Sequence, residues 1–272
     1  MMKERIDLLL VKKGFFPTRE KAKRNIMSGI VFADNRRVDK AGDMVDIDSE
    51  IQIKGKSIPF VSRGGLKLEK ALKEFLIDVA DKTAIDVGAS TGGFTDCLLK
   101  SGAREVVSID VGYGQFAWEL RNDPRVKLME RTNIRYVKPE DIGFLCDICT
   151  IDVSFISLKL VLPVVKQLVK DGADIICLIK PQFEAGRDRV GKNGVVRDPK
   201  VHADVVKDII NFSKENGFGI IDLSYSPIKG PEGNIEYLLR LKNNWNKDGI
   251  DDIDRAVQKI IDESHNAVFA KA

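Results

Sequence analysis

Short apolar runs alternate with helical patterns along most of the chain, from residue 66 to residue 242. Five strands are predicted by TAIDVGA, EVVSID, VKLME, CDICTID and ADIICLIK, and most segments between them, such as LKLVLPVVKQLVK, predict helices. This alternation is typical of an α/β fold with a doubly wound, mostly parallel sheet. Two more strands follow, GIIDLSYS and IEYLLRLK, with no helix between them, so we expect them to form an antiparallel hairpin.

The first 55 or so residues follow a different pattern, in which two short helices precede β-rich runs. Residues 6–11 predict an apolar helix, and a second helix begins after Thr18, a suitable N-cap, and ends at Gly29. IVFADNRRV and EIQIKG predict strands, and SIPFVSRGG, with a proline and two adjacent glycines, predicts a linker. We therefore expect a small domain at 1–58, a linker at 59–65, a larger domain at 66–243 and a helical tail at 244–272.

The composition is that of an ordinary globular protein. Of the 272 residues, 43% are hydrophobic and 31% are charged, which provides enough apolar surface for a real core. No stretch approaches the roughly 20 consecutive apolar residues of a membrane span, and MMKERIDLLLVKKGFF lacks the pattern of a signal peptide. Four cysteines do not make a disulfide framework in a chain of this length. These features predict a soluble protein of the reducing cytoplasm.

Positive charge is concentrated near the N-terminus. Residues 1–24 hold eight basic and three acidic side chains, an excess of five, whereas the net charge of the whole chain is +3. A localised basic face predicts binding to a polyanion, although a solvated helix surface would have the same composition. Arg19 and Lys23 are four positions apart, and Lys12 and Lys13 close the preceding helix, so several cations can share one side of the predicted helix pair.

A glycine-rich loop, DVGASTGGF, follows the first strand of the larger domain and begins at Asp86. Its glycines let the backbone turn sharply beside a ligand at the carboxyl end of the strand. The loop lacks the Gly-x-Gly-x-x-Gly pattern of dinucleotide sites, and no lysine or arginine lies between Asp86 and Lys100 to bind a pyrophosphate. A cationic sulfonium fits better, with Asp86 and Asp152 to attract it. Asp110, which ends the next strand, can accept hydrogen bonds from both ribose hydroxyls of an adenosine.

Four polar residues are expected at the same edge of the sheet. Lys67 lies in the helix before the first strand, Asp152 ends the fourth strand, Lys180 ends the fifth, and Glu236 begins the last. Singly, each could be a surface group, since a lysine at a strand end commonly extends to solvent. Together, beside the glycine loop, they predict a catalytic cluster.

These segments resemble known methyltransferases. The acid-x-Gly-x-Ser-x-Gly pattern of the glycine loop is similar to the first motif of class I S-adenosylmethionine-dependent methyltransferases, with serine in place of the middle glycine. A resemblance to the TlyA family of rRNA 2′-O-methyltransferases, often labelled hemolysins, rests on RGGLKL, DVGASTGGFTD, TIDVSF, LIKPQFE and GPEGNIEY, in that order. The catalytic domain of that family resembles the FtsJ ribose methyltransferases. The N-terminal part of the chain is similar to the S-four RNA-binding module.

The resemblance implies a class I methyltransferase (Rossmann-like) domain, in which a seven-stranded mixed sheet has antiparallel last strands, behind an S-four-like domain. It implies S-adenosyl-L-methionine as cofactor and, as substrate, the 2′-hydroxyl of a cytidine in small- and, in some members, large-subunit rRNA. The catalytic tetrad carries over onto Lys67, Asp152, Lys180 and Glu236. The expected cofactor contacts are Asp86, Gly88, Ala89, Ser90, Gly92, Gly93, Phe94, Asp110, Asn133 and Asp152.

The expected partners are rRNA or ribosomal subunits, with no membrane and no metal, and the chain is expected to be a monomer or a weak dimer. The segment AGRDRVGKNGVVRD, at 185–198, predicts either an RNA-clamping lid over the cofactor or a mobile surface loop, and we favour the lid. The candidate RNA-binding residues are therefore Lys12, Lys13, Arg19, Lys23, Arg24, Arg63, Arg187 and Arg189.

The chemistry of the cluster suits a ribose hydroxyl. A 2′-hydroxyl is a poor nucleophile until its proton leaves, and methyl transfer is an in-line displacement that requires alignment. Our hypothesis is that Lys180 steers the 2′-oxygen and accepts its proton or stabilises the developing alkoxide. Asp152, Lys67 and Glu236 would set the position and charge of Lys180.

Several other functions remain open at this point. A small-molecule methyltransferase would not need the basic N-terminus, and a non-catalytic ribosome-binding factor would not need Lys180. A membrane-active cytolysin is disfavoured, because no segment is apolar and amphipathic enough to insert into a membrane. A base-amine methyltransferase is disfavoured, because DVSF stands where such enzymes have an Asn/Asp-Pro-Pro-aromatic motif. The CxxC at 146–149, His202 and His265 have no metal-binding partners at a useful spacing.

Overall fold

The computed structural model of the protein describes residues 2–27, 29–54, 58–230 and 232–267. Its N-terminal part has the two predicted helices. Oγ1 of Thr18 accepts a hydrogen bond from the N–H of Lys21 at 3.2 Å, and Gly29, with a φ of +75°, ends the second helix. The elements of this part are β1 (Lys3–Arg5), α1 (Ile6–Lys12), α2 (Arg19–Met27), β2 (Val31–Ala33), β3 (Arg36–Arg37), β4 (Met44–Asp46) and β5 (Ile51–Ile53).

The N-terminal strands form two small antiparallel sheets. β2 lies between β3 and β5, and the turn between β2 and β3 has positive φ values at Asp34 and Asn35, as a tight hairpin requires. β1 pairs with β4. The hydrophobic pattern does not predict β1 or β4, because each has three residues and the sequence of β1, KER, has no apolar position. The core of this part includes Ile6, Leu10, Ile26 and Val31.

The remaining elements alternate as predicted. In chain order they are α3 (Gly64–Glu74), β6 (Thr83–Val87), α4 (Gly93–Lys100), β7 (Glu105–Ile109), α5 (Trp118–Arg121), β8 (Val126–Met129), α6 (Pro139–Ile142), β9 (Cys146–Ile151), α7 (Leu158–Leu168), β10 (Val169–Ile179), α8 (Pro181–Glu184), α9 (Pro199–Glu215), β11 (Phe218–Tyr225), β12 (Tyr237–Asn243) and α10 (Ile253–Asn266).

Seven of these strands form one mixed sheet, in the order β11-β12-β10-β9-β6-β7-β8. β12 runs antiparallel to β10 and β11, and the other hydrogen-bonded neighbours are parallel. The predicted mixed sheet with an antiparallel last pair is therefore confirmed. The strand β12 begins at the edge where β6, β7, β9 and β10 end, so the residue before β12 lies at the same edge of the sheet as the residues that follow those four strands.

Apolar layers cover both faces of the sheet. Ile85 and Ile175 belong to the layer that includes α7 and α9, whereas their neighbours Ala84 and Ile176 belong to the layer that includes α3 and α4. Side chains alternate along a strand, so strands covered on both faces have nearly continuous apolar sequences. The four cysteines are buried free thiols.

Some boundaries differ from the predicted ones. α3 begins at Gly64, inside the predicted linker, and a Cβ on Gly65 would lie 2.3 Å from the ring of Phe60. β10 begins at Val169, in a segment predicted as helix. α6 and α8 have four residues each, too few to show a helical period. Parts of four predicted segments lie outside the described residues. They are residue 55 of the strand EIQIKG, residue 57 of SIPFVSRGG, residue 231 of GPEGNIEY and residues 268–269 of the tail helix.

Candidate active site

The four residues of the predicted tetrad form one ion-pair network. Nζ of Lys67 lies 2.6 Å from Oε2 of Glu236 and 3.4 Å from Oδ2 of Asp152. The second carboxylate oxygen of Asp152, Oδ1, lies 2.6 Å from Nζ of Lys180. Asp152 therefore joins the two lysines, and the network runs from Glu236 through Lys67 and Asp152 to Lys180.

Each member of the network comes from a different element. Asp152 follows β9, and Lys180 follows β10, where Pro181 begins α8 with a φ already suited to a helix. Glu236 precedes β12, and Lys67 lies in the first turn of α3. Lys67 and Glu236 are 169 positions apart in sequence, so the sheet topology is what brings them together.

Burial requires these charges to be paired. Lys67 and Lys180 are each 7% exposed, and Glu236 is 1% exposed. Burial alone would lower the pKa of Lys67, but the carboxylates of Asp152 and Glu236 outweigh it and hold that pKa above its ordinary value. Burial would raise the pKa of Asp152, but Lys67 and Lys180 hold it below its usual range. Asp152 is therefore ionised at neutral pH.

Lys180 has one hydrogen-bonding position left. An ammonium group has three N–H donors. The ion pair with Asp152 and a hydrogen bond to Oγ of Ser154 at 3.2 Å occupy two of them. The third is available to an oxygen in the cavity that Lys180 lines. Ser154 was not predicted as a site residue, because nothing in the pattern of TIDVSF indicates that its hydroxyl meets Lys180.

A cavity of about 350 Å³ joins the tetrad to the glycine loop. Gly88 has a φ of +84°, and a Cβ there would lie 2.5 Å from the carbonyl oxygen of Asp152. A Cβ on Gly93 would lie 2.4 Å from Oγ of Ser62. Only glycine fits at these two positions. The cavity walls include all four tetrad residues and the loop residues Gly88, Ala89, Ser90, Thr91, Gly93 and Phe94.

Asp110 lies beside the glycine loop, as predicted. Its Oδ2 accepts a hydrogen bond from the N–H of Ser90 at 2.7 Å, and its Oδ1 accepts one from the N–H of Gly112 at 2.6 Å. A carboxylate oxygen has two acceptor positions, so each oxygen of Asp110 can accept a second bond, from a ribose hydroxyl. With no cation in the loop, these residues fit the adenosine and sulfonium of S-adenosylmethionine.

Two expected cofactor residues have other partners. Asp86 is fully buried, and its carboxylate accepts hydrogen bonds from Oγ1 of Thr95 at 2.7 Å and of Thr150 at 3.2 Å. Burial raises the pKa of Asp86 to about 7, although these hydrogen bonds oppose it. Oδ1 of Asn133 accepts from the N–H of Arg135 at 3.1 Å. Four of the expected cofactor residues are not among the described residues that line the cavity: Asp86, Gly92, Asp110 and Asn133. Asp86 ties β6 to α4 and β9 through its two hydrogen bonds.

Both of the predicted RNA-binding arginines in the N-terminal domain form ion pairs within the protein. Nε of Arg19 lies 2.8 Å from Oδ2 of Asp7, a carboxylate with no exposed side-chain surface. Arg24 of α2 pairs with Glu119 of α5, across the boundary between the small and the larger domain. Both arginines therefore have a structural role that the charge pattern does not indicate.

The predicted lysines of the same region are less constrained. Nζ of Lys12 lies 3.4 Å from Oε2 of Glu4 in an exposed pair, and Nζ of Lys13 donates to the carbonyl oxygen of Ser49 at 3.1 Å. Lys23 forms no ion pair with any residue in the described ranges. An exposed pair such as that of Lys12 contributes little to stability, so the RNA-binding role of these lysines stays a prediction that their contacts do not oppose.

The loop at 185–198 is attached to the sheet in its second half. The N–H of Val196 donates to Oδ1 of Asn234 at 3.0 Å. Arg187 is exposed, whereas Arg189 pairs with Asp204 at 3.3 Å. The predicted lid therefore has one anchored end and one exposed basic end.

An aromatic pair with one exposed ring lies beside the tetrad. Phe155 follows Ser154, is 91% exposed and has a φ of +63°, which a residue other than glycine rarely adopts. The centroid of its ring lies 5.0 Å from that of Phe183, in the short helix that follows Lys180. This pair was not predicted, because sequence indicates an aromatic residue but not its exposure.

Known protein families agree with this geometry. The S4 domain family matches residues 4–51, and the family described as FtsJ-like methyltransferase matches residues 60–243. The chain belongs to the FtsJ-like methyltransferase family. A solved structure from Listeria monocytogenes, provisionally named an S-adenosylmethionine-dependent methyltransferase, has the same class of fold, with 19% identity and a TM-score of 0.50 over 66% of this chain and 98% of that chain.

Relatives that span nearly the whole chain confirm the resemblance to the TlyA family. A Bacillus subtilis protein provisionally named rRNA methyltransferase YqxC is 52% identical over 99% of this chain and 96% of its own. The 16S/23S rRNA (cytidine-2′-O)-methyltransferase TlyA of Mycobacterium tuberculosis is 43% identical over 89% of this chain and 91% of its own. A solved structure from Streptococcus thermophilus, provisionally named a hemolysin, has a TM-score of 0.77 and 45% identity over 97% of this chain and 96% of that chain.

The described part of the chain holds no helix long and apolar enough to cross a membrane. Within the same residues, no group of three or more histidine, cysteine, aspartate or glutamate side chains could hold a metal ion. His202 is fully buried, and its Nδ1 lies 2.7 Å from the hydroxyl of Tyr237, so this histidine belongs to the core.

Proposed function

We propose that this protein transfers a methyl group from S-adenosyl-L-methionine to the 2′-hydroxyl of a cytidine in rRNA. The observation that carries the proposal is the network of Glu236, Lys67, Asp152 and Lys180, which lines one cavity with the glycine loop. The name of the Mycobacterium tuberculosis relative supports the choice of nucleotide. The S4 domain supports RNA as the acceptor. Because rRNA is the proposed substrate, we place the protein in the cytoplasm, where it acts as a monomer or a weak dimer.

Within this proposal, the tetrad holds the ribose oxygen. The remaining N–H of Lys180 donates to the 2′-oxygen and stabilises the negative charge that develops as this oxygen bonds to the methyl carbon, the bond from that carbon to sulfur breaks and the hydroxyl proton passes to solvent water. Asp152, which is held ionised, fixes the position of Lys180, and Lys67 fixes Asp152 and Glu236. Such alignment matters because an in-line displacement depends steeply on geometry.

The residues around the tetrad hold the two substrates. We infer that Asp110 accepts hydrogen bonds from the ribose hydroxyls of the cofactor, and that the glycine loop approaches the rest of it. When bound, the cofactor supplies an electrophilic methyl group on a sulfonium. The exposed ring of Phe155 offers a stacking surface for the base of the target nucleotide, because unpaired RNA bases stack on aromatic side chains. Residues 1–58 act as the RNA-binding unit and residues 66–243 as the catalytic unit.

The direct test uses labelled S-adenosylmethionine and unmethylated ribosomal subunits of both sizes. We expect label in RNA, at the 2′-oxygen of a cytidine, when ribose methylation is mapped by primer extension or mass spectrometry. Label on a base would contradict the proposed acceptor. Label on small metabolites but never on RNA would favour a small-molecule methyltransferase.

Replacement of Lys180 tests its role. We expect Lys180→Ala to lower the rate of methyl transfer by roughly 100- to 1,000-fold, the usual effect of removing one donor from a developing oxyanion. The affinity for S-adenosylmethionine, measured by calorimetry, should stay nearly unchanged, because the glycine loop is intact. Lys73→Ala, on the exposed side of α3, is the matched control. If Lys180→Ala still transfers methyl groups, Lys180 does not stabilise the developing oxyanion. If Lys180→Ala loses methyl transfer but keeps the biological effect of the protein, a non-catalytic ribosome-binding factor is favoured.

A further inference from the structure

Arg63 is a partly buried cation without a carboxylate partner. It directly precedes α3 and lines the catalytic cavity four positions before Lys67. Within the described ranges, its guanidinium forms no hydrogen bond and no ion pair. Burial lowers the pKa of Arg63, because the charged form has lost part of its hydration.

The two carboxylates that attract Arg63 are bound to other cations. Oδ1 of Asp39, in the S4 domain, lies 2.9 Å from Nε of Arg37, and Oε2 of Glu236 lies 2.6 Å from Nζ of Lys67. Arg37 itself repels Arg63. A guanidinium has five N–H donors, and leaving them without acceptors in a partly dehydrated site is unfavourable. The site of Arg63 therefore suits an added anion.

We propose that Arg63 binds a phosphate of the RNA backbone that adjoins the target ribose. A phosphate matches the planar fork of a guanidinium with two parallel hydrogen bonds. The reacting ribose is flanked by phosphates, and Arg63 shares one cavity with Lys67 and Lys180. A phosphate at this position also screens the repulsion between Arg63 and Arg37 of the S4 domain. The proposal rests on the proposed function, since it takes RNA as the acceptor.

The carboxylate of the methyl donor is the competing anion. The charged groups that act on Arg63 are Arg37 and Asp39 on the S4 side and Glu236 in the tetrad, and none of them belongs to the glycine loop. This distribution favours RNA, because the S4 domain is the RNA-binding part of the chain.

The test measures binding of unmethylated ribosomal subunits to Arg63→Gln at a series of KCl concentrations. We expect about 10-fold weaker binding at moderate salt, as the removal of a hydrogen bond between charged groups implies. The slope of log K against log salt should fall by about 0.7 to 0.9, the share of one neutralised phosphate. Affinity for S-adenosylmethionine, measured separately by calorimetry, should not change. Arg104→Gln, at an exposed position before β7, is the control and should bind as the unmodified chain does.

Three results would overturn the proposal. Unmodified affinity and salt slope in Arg63→Gln would exclude an interaction with RNA. Weaker binding with an unchanged slope would exclude a phosphate as the bound group. Weaker binding of S-adenosylmethionine with unchanged RNA binding would assign Arg63 to the carboxylate of the cofactor.

Arg63→Lys decides the matter if Arg63→Gln does not fold. It keeps the charge but loses the paired hydrogen bonds, so we expect subunits to bind several-fold more weakly at an unchanged salt slope; unmodified affinity would overturn the proposal. Failure of the proposed function is a separate outcome, in which the unmodified chain transfers no methyl group to RNA. The Arg63 proposal is decided by RNA binding instead.

Discussion

At the scale of single residues, Asp86 is a buried carboxylate whose hydrogen-bond partners are neutral. Thr95 and Thr150 donate to it, and Oγ1 of Thr95 also lies 2.7 Å from Oγ of Ser108. Burial raises the pKa of Asp86 to about 7, well above that of a solvated carboxyl group. Between these two pKa values, the folded state therefore binds a proton that the unfolded chain has lost.

This difference predicts a pH dependence of stability. The free energy of unfolding falls with pH wherever the folded state binds more protons, so we expect Asp86 to destabilise the protein progressively as the pH rises from about 4 to about 7. Asp86→Asn removes this titration. Its stability in urea, relative to the unmodified chain, should therefore increase between about pH 4.5 and about pH 7.5. Asp123→Asn, at a partly exposed carboxylate paired with Arg125, is the control; a constant difference for Asp86→Asn would exclude the raised pKa.

At the scale of elements, Asn234 joins two segments to which we have assigned proposed roles. Its Oδ1 accepts from the N–H of Val196 at 3.0 Å, and its Nδ2 donates to the carbonyl oxygen of Gly194 at 2.9 Å. The same side chain is 2% exposed and lies two positions before Glu236. The amide of Asn234 therefore joins the loop at 185–198 to the segment that carries Glu236 into the predicted tetrad.

Removal of that amide should loosen the loop. We expect Asn234→Ala to destabilise the protein by about 1 to 3 kcal/mol, because two backbone groups lose their partner. Hydrogen exchange of the Val196 amide should become faster, and kcat/KM for RNA should fall while cofactor affinity is kept. Asn122→Ala, whose amide donates to the carbonyl oxygen of Trp118 at an exposed helix end, is the matched control. Unchanged protection of Val196 would refute this coupling.

At the scale of the whole molecule, the basic N-terminal surface and the predicted catalytic tetrad lie in different domains. Lys12, Lys13 and Lys23 lie in the S4 domain, whereas the charges of the tetrad cancel one another inside the larger domain. On the function proposed above, the N-terminal lysines contribute to the encounter with RNA, and the buried charges contribute to alignment.

This separation predicts which property each surface controls. We expect the triple change of Lys12, Lys13 and Lys23 to Gln to reduce the salt slope of RNA binding by about 2, because each neutralised phosphate contributes up to about 0.9 to that slope. Affinity for S-adenosylmethionine should stay the same, since the glycine loop is untouched. The control changes Lys73, Lys247 and Lys259, three exposed lysines of the rest of the chain. An unchanged slope would mean that the N-terminal charges are a solvated surface.

The sequence by itself determined the α/β class, the antiparallel last pair and the residue types of the tetrad. Hydrophobic periodicity is a local property, and the ends of parallel strands meet at one edge whatever the details of packing. Lys180, at the end of an apolar strand, could therefore be assigned to the same edge as Asp152. The resemblance of five short motifs to one family added the substrate class.

Only the tertiary structure decided which charged side chains are buried and which of them pair with each other. Asp86 has its hydrogen-bond partners in the core, and Arg19 is bound to buried Asp7. Each carboxylate that attracts Arg63 is paired with another cation. The sequence contains no sign of these differences, because burial and pairing arise between residues far apart in the chain. An ion pair such as that of Lys67 with Glu236 exists only once α3 and β12 have packed at one edge of the sheet.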